Sequence, residues 1–312
     1  MMAELAGSED RMESLQAVAQ GRALRAGQRP ALPPPEGVEL RRSVVYGRAG
    51  GRELTLDLFL PDEGAWPAPR PAMLFFHGGA WSSGTPGQFY RQSGSLAAAG
   101  IACASVSYRL SGEAKYPAAV EDAKCAVRWM RAHAQELGVD PERIGCAGAS
   151  AGGHLAAMLA TTAGIPRFEG NGGHSGVSSR VCLAVLFNPV LDLVALAGEE
   201  RCVEWLISFL GVPFEGNEAL YRDASPITHV GPETPPCLLF HGMADKAVPY
   251  AQAERFRDVL RQNGVAGELV SYEGRGHGFF SRSPYYEETY TRMEGWLLDR
   301  FGQAAGRAGE LR

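Results

Sequence analysis

The chain has 312 residues, 45% of them hydrophobic and 21% charged, with a formal net charge of −5. That length and balance suit one large globular domain with a sizeable core. Lys and Arg are dispersed on a slightly acidic background, which leaves no basic footprint for nucleic acid and makes a small molecule the expected partner.

The start, MMAELAGSEDRMESLQ, carries acidic residues and no apolar h-region, and no later run reaches the length of a membrane span, so a cytoplasmic location is expected. Residues 1 to 29 read as one helix weakened at Gly21, followed by the linker Pro30-Ala31-Leu32-Pro33-Pro34-Pro35. Residues 1–36 are therefore expected as an N-terminal arm, 37–303 as the main domain and 304–312 as a tail. Within the domain, Leu54–Leu60 alternates like a strand, and Ala72–Phe76 and Ile101–Tyr108 read as buried strands. A helix spans Pro117–Leu137, with proline in its first turn and Gly138 as its stop. Strand Ile144–Ala147, helix Ser150–Thr162, strands Val181–Phe187 and Cys237–His241, helix Ala251–Gln262, strand Glu268–Tyr272 and helix Tyr286–Phe301 follow. This alternation predicts an α/β fold with a mainly parallel sheet covered on both faces. The stretch 193–230 breaks it, reads as helical, carries Trp205, Phe209 and Phe214, and is placed as a small cap after a strand end. The six cysteines form no C-x-x-C pair and read as buried free thiols.

Gly148-Ala149-Ser150-Ala151-Gly152 fits G-x-S-x-G, in which a strand turns sharply into a helix and presents a serine at the corner. The plain alternative is a glycine-rich turn whose serine only caps the helix. A nucleophilic serine needs a base and an acid that orients it, in the chain order Ser, Asp or Glu, His. Asp245 lies on a loop after strand Cys237–His241, and its rival Asp192 follows an earlier strand. His277, between two glycines, comes after the acid. HGGAW, His77–Trp81, follows a buried strand where an oxyanion loop belongs, so the N–H groups of Gly79, Ala80 and Ala151 are expected to form the hole, with Gly78 shaping the turn. His77, His154 and His241 read as structural histidines, and Arg109 with Asp122 as a buried pair. Trp81, Trp205, Phe209 and Phe279 are candidates for a substrate pocket. His133, His174 and His229 have no ligand spacing, and no metal site is expected.

With these motifs the chain resembles the α/β-hydrolase superfamily, and within it the esterases related to hormone-sensitive lipase. SYRLSGEAKYPAAVEDAKCAVRWM and GVDPERIGCAGASAGGHLA carry the likeness, which runs from about residue 40 to residue 300. That group commonly has Asp before the nucleophile, where this chain has Ala149. GASAGGHLA, HGGAW and GRGHGF are closer to the branch with bacterial feruloyl and acetyl-xylan type esterases, and HGG-x-W also occurs in kynurenine formamidases. The resemblance implies a cofactor-free serine carboxylesterase acting on a small ester, with carbohydrate-ester or arylformamide hydrolysis as variants. A hydrolase-fold binding protein is the non-enzymatic alternative, and an intact Ser, Asp and His set speaks against it.

Overall fold

The computed structural model describes residues 33–302. The helical arm expected before residue 29 and the tail after residue 303 lie outside the described residues. Eight strands form one sheet in the order β1-β2-β4-β3-β5-β6-β7-β8: β1 Val38–Ala49, β2 Arg52–Pro61, β3 Arg70–Phe76, β4 Ala102–Val106, β5 Val139–Ala149, β6 Ala184–Phe187, β7 Cys237–Gly242 and β8 Gly267–Tyr272. Strand β2 runs antiparallel to both neighbours, and β3 to β8 are parallel. The long helices are α1 Tyr90–Ala98, α2 Ala118–Ala132, α3 Ala151–Thr161, α7 Ala251–Gln262 and α8 Tyr285–Arg300. No helix among the described residues is long and apolar enough to cross a membrane.

The central strands are apolar through their sheet-core segments, such as Ala72–Phe76, Ile144–Ala149 and Ala184–Phe187, because both faces are covered there. Leu74, Phe76, Ile144, Cys146, Leu186 and Leu239 enter one core, while Met73, Phe75, Ala147, Val185, Leu238 and Phe240 enter the other. Neighbours along one strand thus point to opposite faces. Strand β1 and helix α1 were not expected from the sequence. Strand β1 is an edge strand with a polar pattern and two register breaks against β2, and α1 carries Ser and Gly where helix formers would signal it.

Between β6 and β7 lie three short helices, α4 Leu193–Leu196, α5 Val203–Leu210 and α6 Glu218–Asp223. Gly211 ends α5 in the left-handed region, φ 86°. The loop after β4 holds α5 in place: Tyr116 N–H donates to Phe209 O at 3.0 Å, and Lys115 Nζ donates to Ser208 O at 2.8 Å. The registers Phe76–Gly148, Ala149–Phe187 and Phe187–Phe240 align the carboxyl ends of β3, β5, β6 and β7, so the residues that follow these strands converge.

Candidate active site

Ser150 stands where β5 becomes α3, with φ 54° and ψ −120°. A non-glycine residue there is strained and must be held by its surroundings. A Cβ on Gly148 would come 2.1 Å from Gly152 O, and one on Gly152 would come 2.0 Å from Phe76 O. The corner is therefore closed to any residue with a side chain at either position. Ser150 N–H donates to Phe187 O at 2.9 Å, tying the corner to β6. The Ser150 hydroxyl makes no helix-capping bond.

The HGGAW loop lies against this corner. A Cβ on Gly78 would stand 3.3 Å from Ser150 Cβ. Gly79, Ala80 and Trp81 all have positive φ, at 119°, 50° and 56°. The Gly78 N–H donates to Gln88 Oε1 at 2.6 Å and so faces away from a substrate, leaving Gly78 to shape the turn. Among the described residues the Gly79 and Ala80 N–H groups meet no acceptor. The Ala151 N–H lies in the first turn of α3, where helical N–H groups lack an intrahelical acceptor. His77 stacks on Tyr108 at 4.4 Å, accepts the Tyr108 hydroxyl at its carbonyl (2.8 Å) and donates from Nδ1 to Gly78 O (2.9 Å). Burial lowers its pKa to about 4, so this brace is neutral.

Asp245 is buried on the loop after β7. Its Oδ1 accepts the N–H groups of Ala247 (2.8 Å) and Val248 (2.9 Å), and its Oδ2 lies 2.7 Å from His277 Nδ1 and 3.5 Å from His241 Nε2. Burial works against the charged carboxylate, but hydrogen bonds from His241 and His277 outweigh it and hold Asp245 well below the usual carboxylate range. The His277 turn is locked to that loop by Met243 N–H to Tyr272 O (2.9 Å) and Ala244 N–H to Arg275 O (3.0 Å). The rival Asp192 is committed elsewhere: it caps α4 through Ala195 N–H at 2.9 Å and lies 3.4 Å from Arg255. With Nδ1 donating to Asp245, His277 Nε2 is left as an acceptor, 3.5 Å from Asn188 Nδ2.

The aromatic candidates fall into different places. Trp81 and Phe209 stack at 4.2 Å and are 2% and 1% exposed, so they form the wall that joins the HGGAW loop to α5. Trp81 Nε1 donates to His154 Nδ1 (3.2 Å), and His154 Nε2 donates to Ala224 O (2.8 Å); burial lowers His154 to about 4. Phe279 packs on Tyr272 behind the His277 turn, and Trp205 is half-buried on α5. Arg109 and Asp122 pair at 2.8 Å. Among the described residues no group of three or more His, Cys, Asp or Glu could hold a metal ion. Gln88 and Asn188 escaped the sequence reading. Gln88 has no motif signal, whereas a polar residue ending the apolar run before Pro189 was a readable cue for Asn188.

A hydroxyl at a strained corner, an imidazole oriented by a buried carboxylate, and N–H groups without acceptors are parts an acyl-transfer site requires. Comparisons with known proteins agree with that chemistry. The chain is 35% identical over 235 residues to a probable carboxylic ester hydrolase, LipM, of Mycobacterium tuberculosis, covering 73% of this chain and 53% of that protein. It is 30% identical over 251 residues to a probable isoprenylcysteine alpha-carbonyl methylesterase of Arabidopsis thaliana, covering 76% of this chain and 51% of the relative. The chain spans about half the length of these curated relatives. A propionate-bound esterase, Est2 of Thermogutta terrifontis, superposes with a TM-score of 0.74 at 34% identity, covering 88% of this chain and 98% of that one. The BD-FAE family matches residues 56–260, and this α/β-hydrolase chain belongs to it.

Proposed function

We propose that the protein is a serine carboxylesterase for short acyl esters, with Ser150 as nucleophile, His277 as base and Asp245 as the acid that orients it. The observation that supports this most is the 2.7 Å contact between Asp245 Oδ2 and His277 Nδ1 on loops beside the Ser150 corner. Ser150 Oγ attacks the ester carbonyl carbon as His277 Nε2 takes its proton. The oxyanion is received by the N–H groups of Gly79, Ala80 and Ala151. Collapse breaks the bond to the alcohol, which leaves with the proton from Nε2, and the acyl group stays on Ser150. Water then attacks the acyl carbon, giving its proton to Nε2, and the carboxylic acid is released as Ser150 regains a proton.

The stacked Trp81–Phe209 wall supports a short acyl group, and the segment 193–230 acts as a small cap over the site. Each methylene that fits adds about 0.8 kcal/mol, while one that meets a ring is rejected. Across p-nitrophenyl esters, kcat/KM is expected to peak at acetate or butyrate and then fall, with Ser150→Ala inactive. A value that climbs through decanoate would contradict the short slot, and an active Ser150→Ala would contradict the nucleophile.

A further inference from the structure

Asn188 follows directly on β6, and the pairing of Ala149 with Phe187 and of Phe187 with Phe240 sets it level with Ser150 and His241. Its N–H donates to Phe240 O at 2.7 Å, while the carbonyl of the preceding Phe187 accepts the Ser150 N–H at 2.9 Å. The peptide that carries Asn188 is thus bonded both to the nucleophile's corner and to the strand that leads to Asp245.

Two unfavourable features meet in this residue. Its φ is 34°, in the left-handed region, and its side chain is 1% exposed with Oδ1 buried and without a partner among the described residues. Glycine would avoid the first cost, and an apolar side chain of similar size would avoid the second. Such costs persist where the position has work to do. The other end of the amide, Nδ2, lies 3.5 Å from His277 Nε2.

We infer that Asn188 is a positioning residue for His277, an inference that rests on reading His277 as the base. Asp245 holds the Nδ1–H, so Nε2 presents a lone pair, and the Asn188 Nδ2–H meets it. This contact steadies the ring beside Ser150 while substrate is absent. From the β7 side the ring faces Asp245, with His241 behind it and Lys246 next in the chain. Arg275 of its own turn is directed onto the Tyr285 ring at 4.9 Å, and from the end of β6 the neutral Asn188 amide faces the ring.

Two substitutions suit the left-handed backbone and separate positioning from folding. Asn188→Asp keeps the shape but sets a carboxylate against Nε2. Asn188→Gly removes the contact. With p-nitrophenyl acetate, Asn188→Asp is expected to move the acid limb of the kcat/KM profile to higher pH by about one unit or more. Asn188→Gly is expected to lower kcat roughly tenfold with KM within about twofold. An unmoved acid limb in Asn188→Asp, or an unchanged kcat in Asn188→Gly, would overturn the inference. Ser150→Ala measured alongside separates the two levels. If it is inactive while the Asn188 variants match the parent, this inference alone fails; if it stays active, the hydrolase reading fails and the inference with it.

Discussion

Asp245 and Asp192 both follow strand ends, but their carboxylates are spent differently. Asp192 satisfies a helix N-terminus, whereas Asp245 keeps one oxygen for two backbone N–H groups and turns the other to His277. Asn substitution at Asp245 is therefore expected to lower kcat by orders of magnitude through loss of the imidazole's orientation, and at Asp192 to leave kcat near the parent value. Steady-state kinetics on the two variants checks this, and a crippled Asp192→Asn beside a mild Asp245→Asn would reverse the assignment. Ser150, Asp245 and His277 could be singled out as candidates because three residue types must appear in a fixed order, each after a strand. Gln88 was not, because one amide side chain has no spacing to recognise; the polar end of an apolar run marked Asn188 as unusual, but its role depends on what the fold sets beside it.

At the level of elements, the loop from β3 to α1 is held at both ends: His77 is clamped on Tyr108, and the Gly78 N–H is clamped by Gln88. In the proposed site this clamp fixes the peptides of Gly79 and Ala80 that follow. Gln88→Ala is expected to cut kcat about tenfold or more with little change in KM, since small displacements of aligned donors are costly. Gln88→Glu, which keeps an acceptor for the Gly78 N–H, should recover most of the loss. Equal rates in the parent and Gln88→Ala would remove the clamp from the account. The buried parallel strands were readable as apolar runs, and the long helices other than α1 from the helical stretches between them. Strand β1 was missed because its exposed positions are polar and its register is broken, and the Trp81–Phe209 stack was invisible because it joins residues far apart in the chain.

Over the whole molecule, buried imidazoles link stability to pH. His77 and His154 have pKa values lowered by burial to about 4, against an ordinary 6.5, so below pH 6.5 the unfolded chain binds more protons than the folded one. Their contribution is fully present above pH 6.5 and is lost as pH falls toward 4, up to about 3 kcal/mol for each. Asp245 acts in the same sense at lower pH, because its carboxylate is held below the ordinary value of 3.8 and its contribution is lost as pH falls through the folded value. Urea midpoints should hold from pH 7.5 to about 6.5 and decline from there to pH 4, and a midpoint constant over the whole range would mean these groups titrate as they do in water.

The central claim is that Ser150 is a nucleophile activated by His277. Diethyl p-nitrophenyl phosphate tests it directly, because an activated serine displaces p-nitrophenolate and keeps the diethylphosphoryl group. Peptide mass spectrometry of the treated protein is expected to find one such group per chain, on Ser150, with activity lost in proportion, and far slower labelling in His277→Ala. Label on another residue, or an unlabelled Ser150 in a protein that still hydrolyses p-nitrophenyl acetate, would contradict the account.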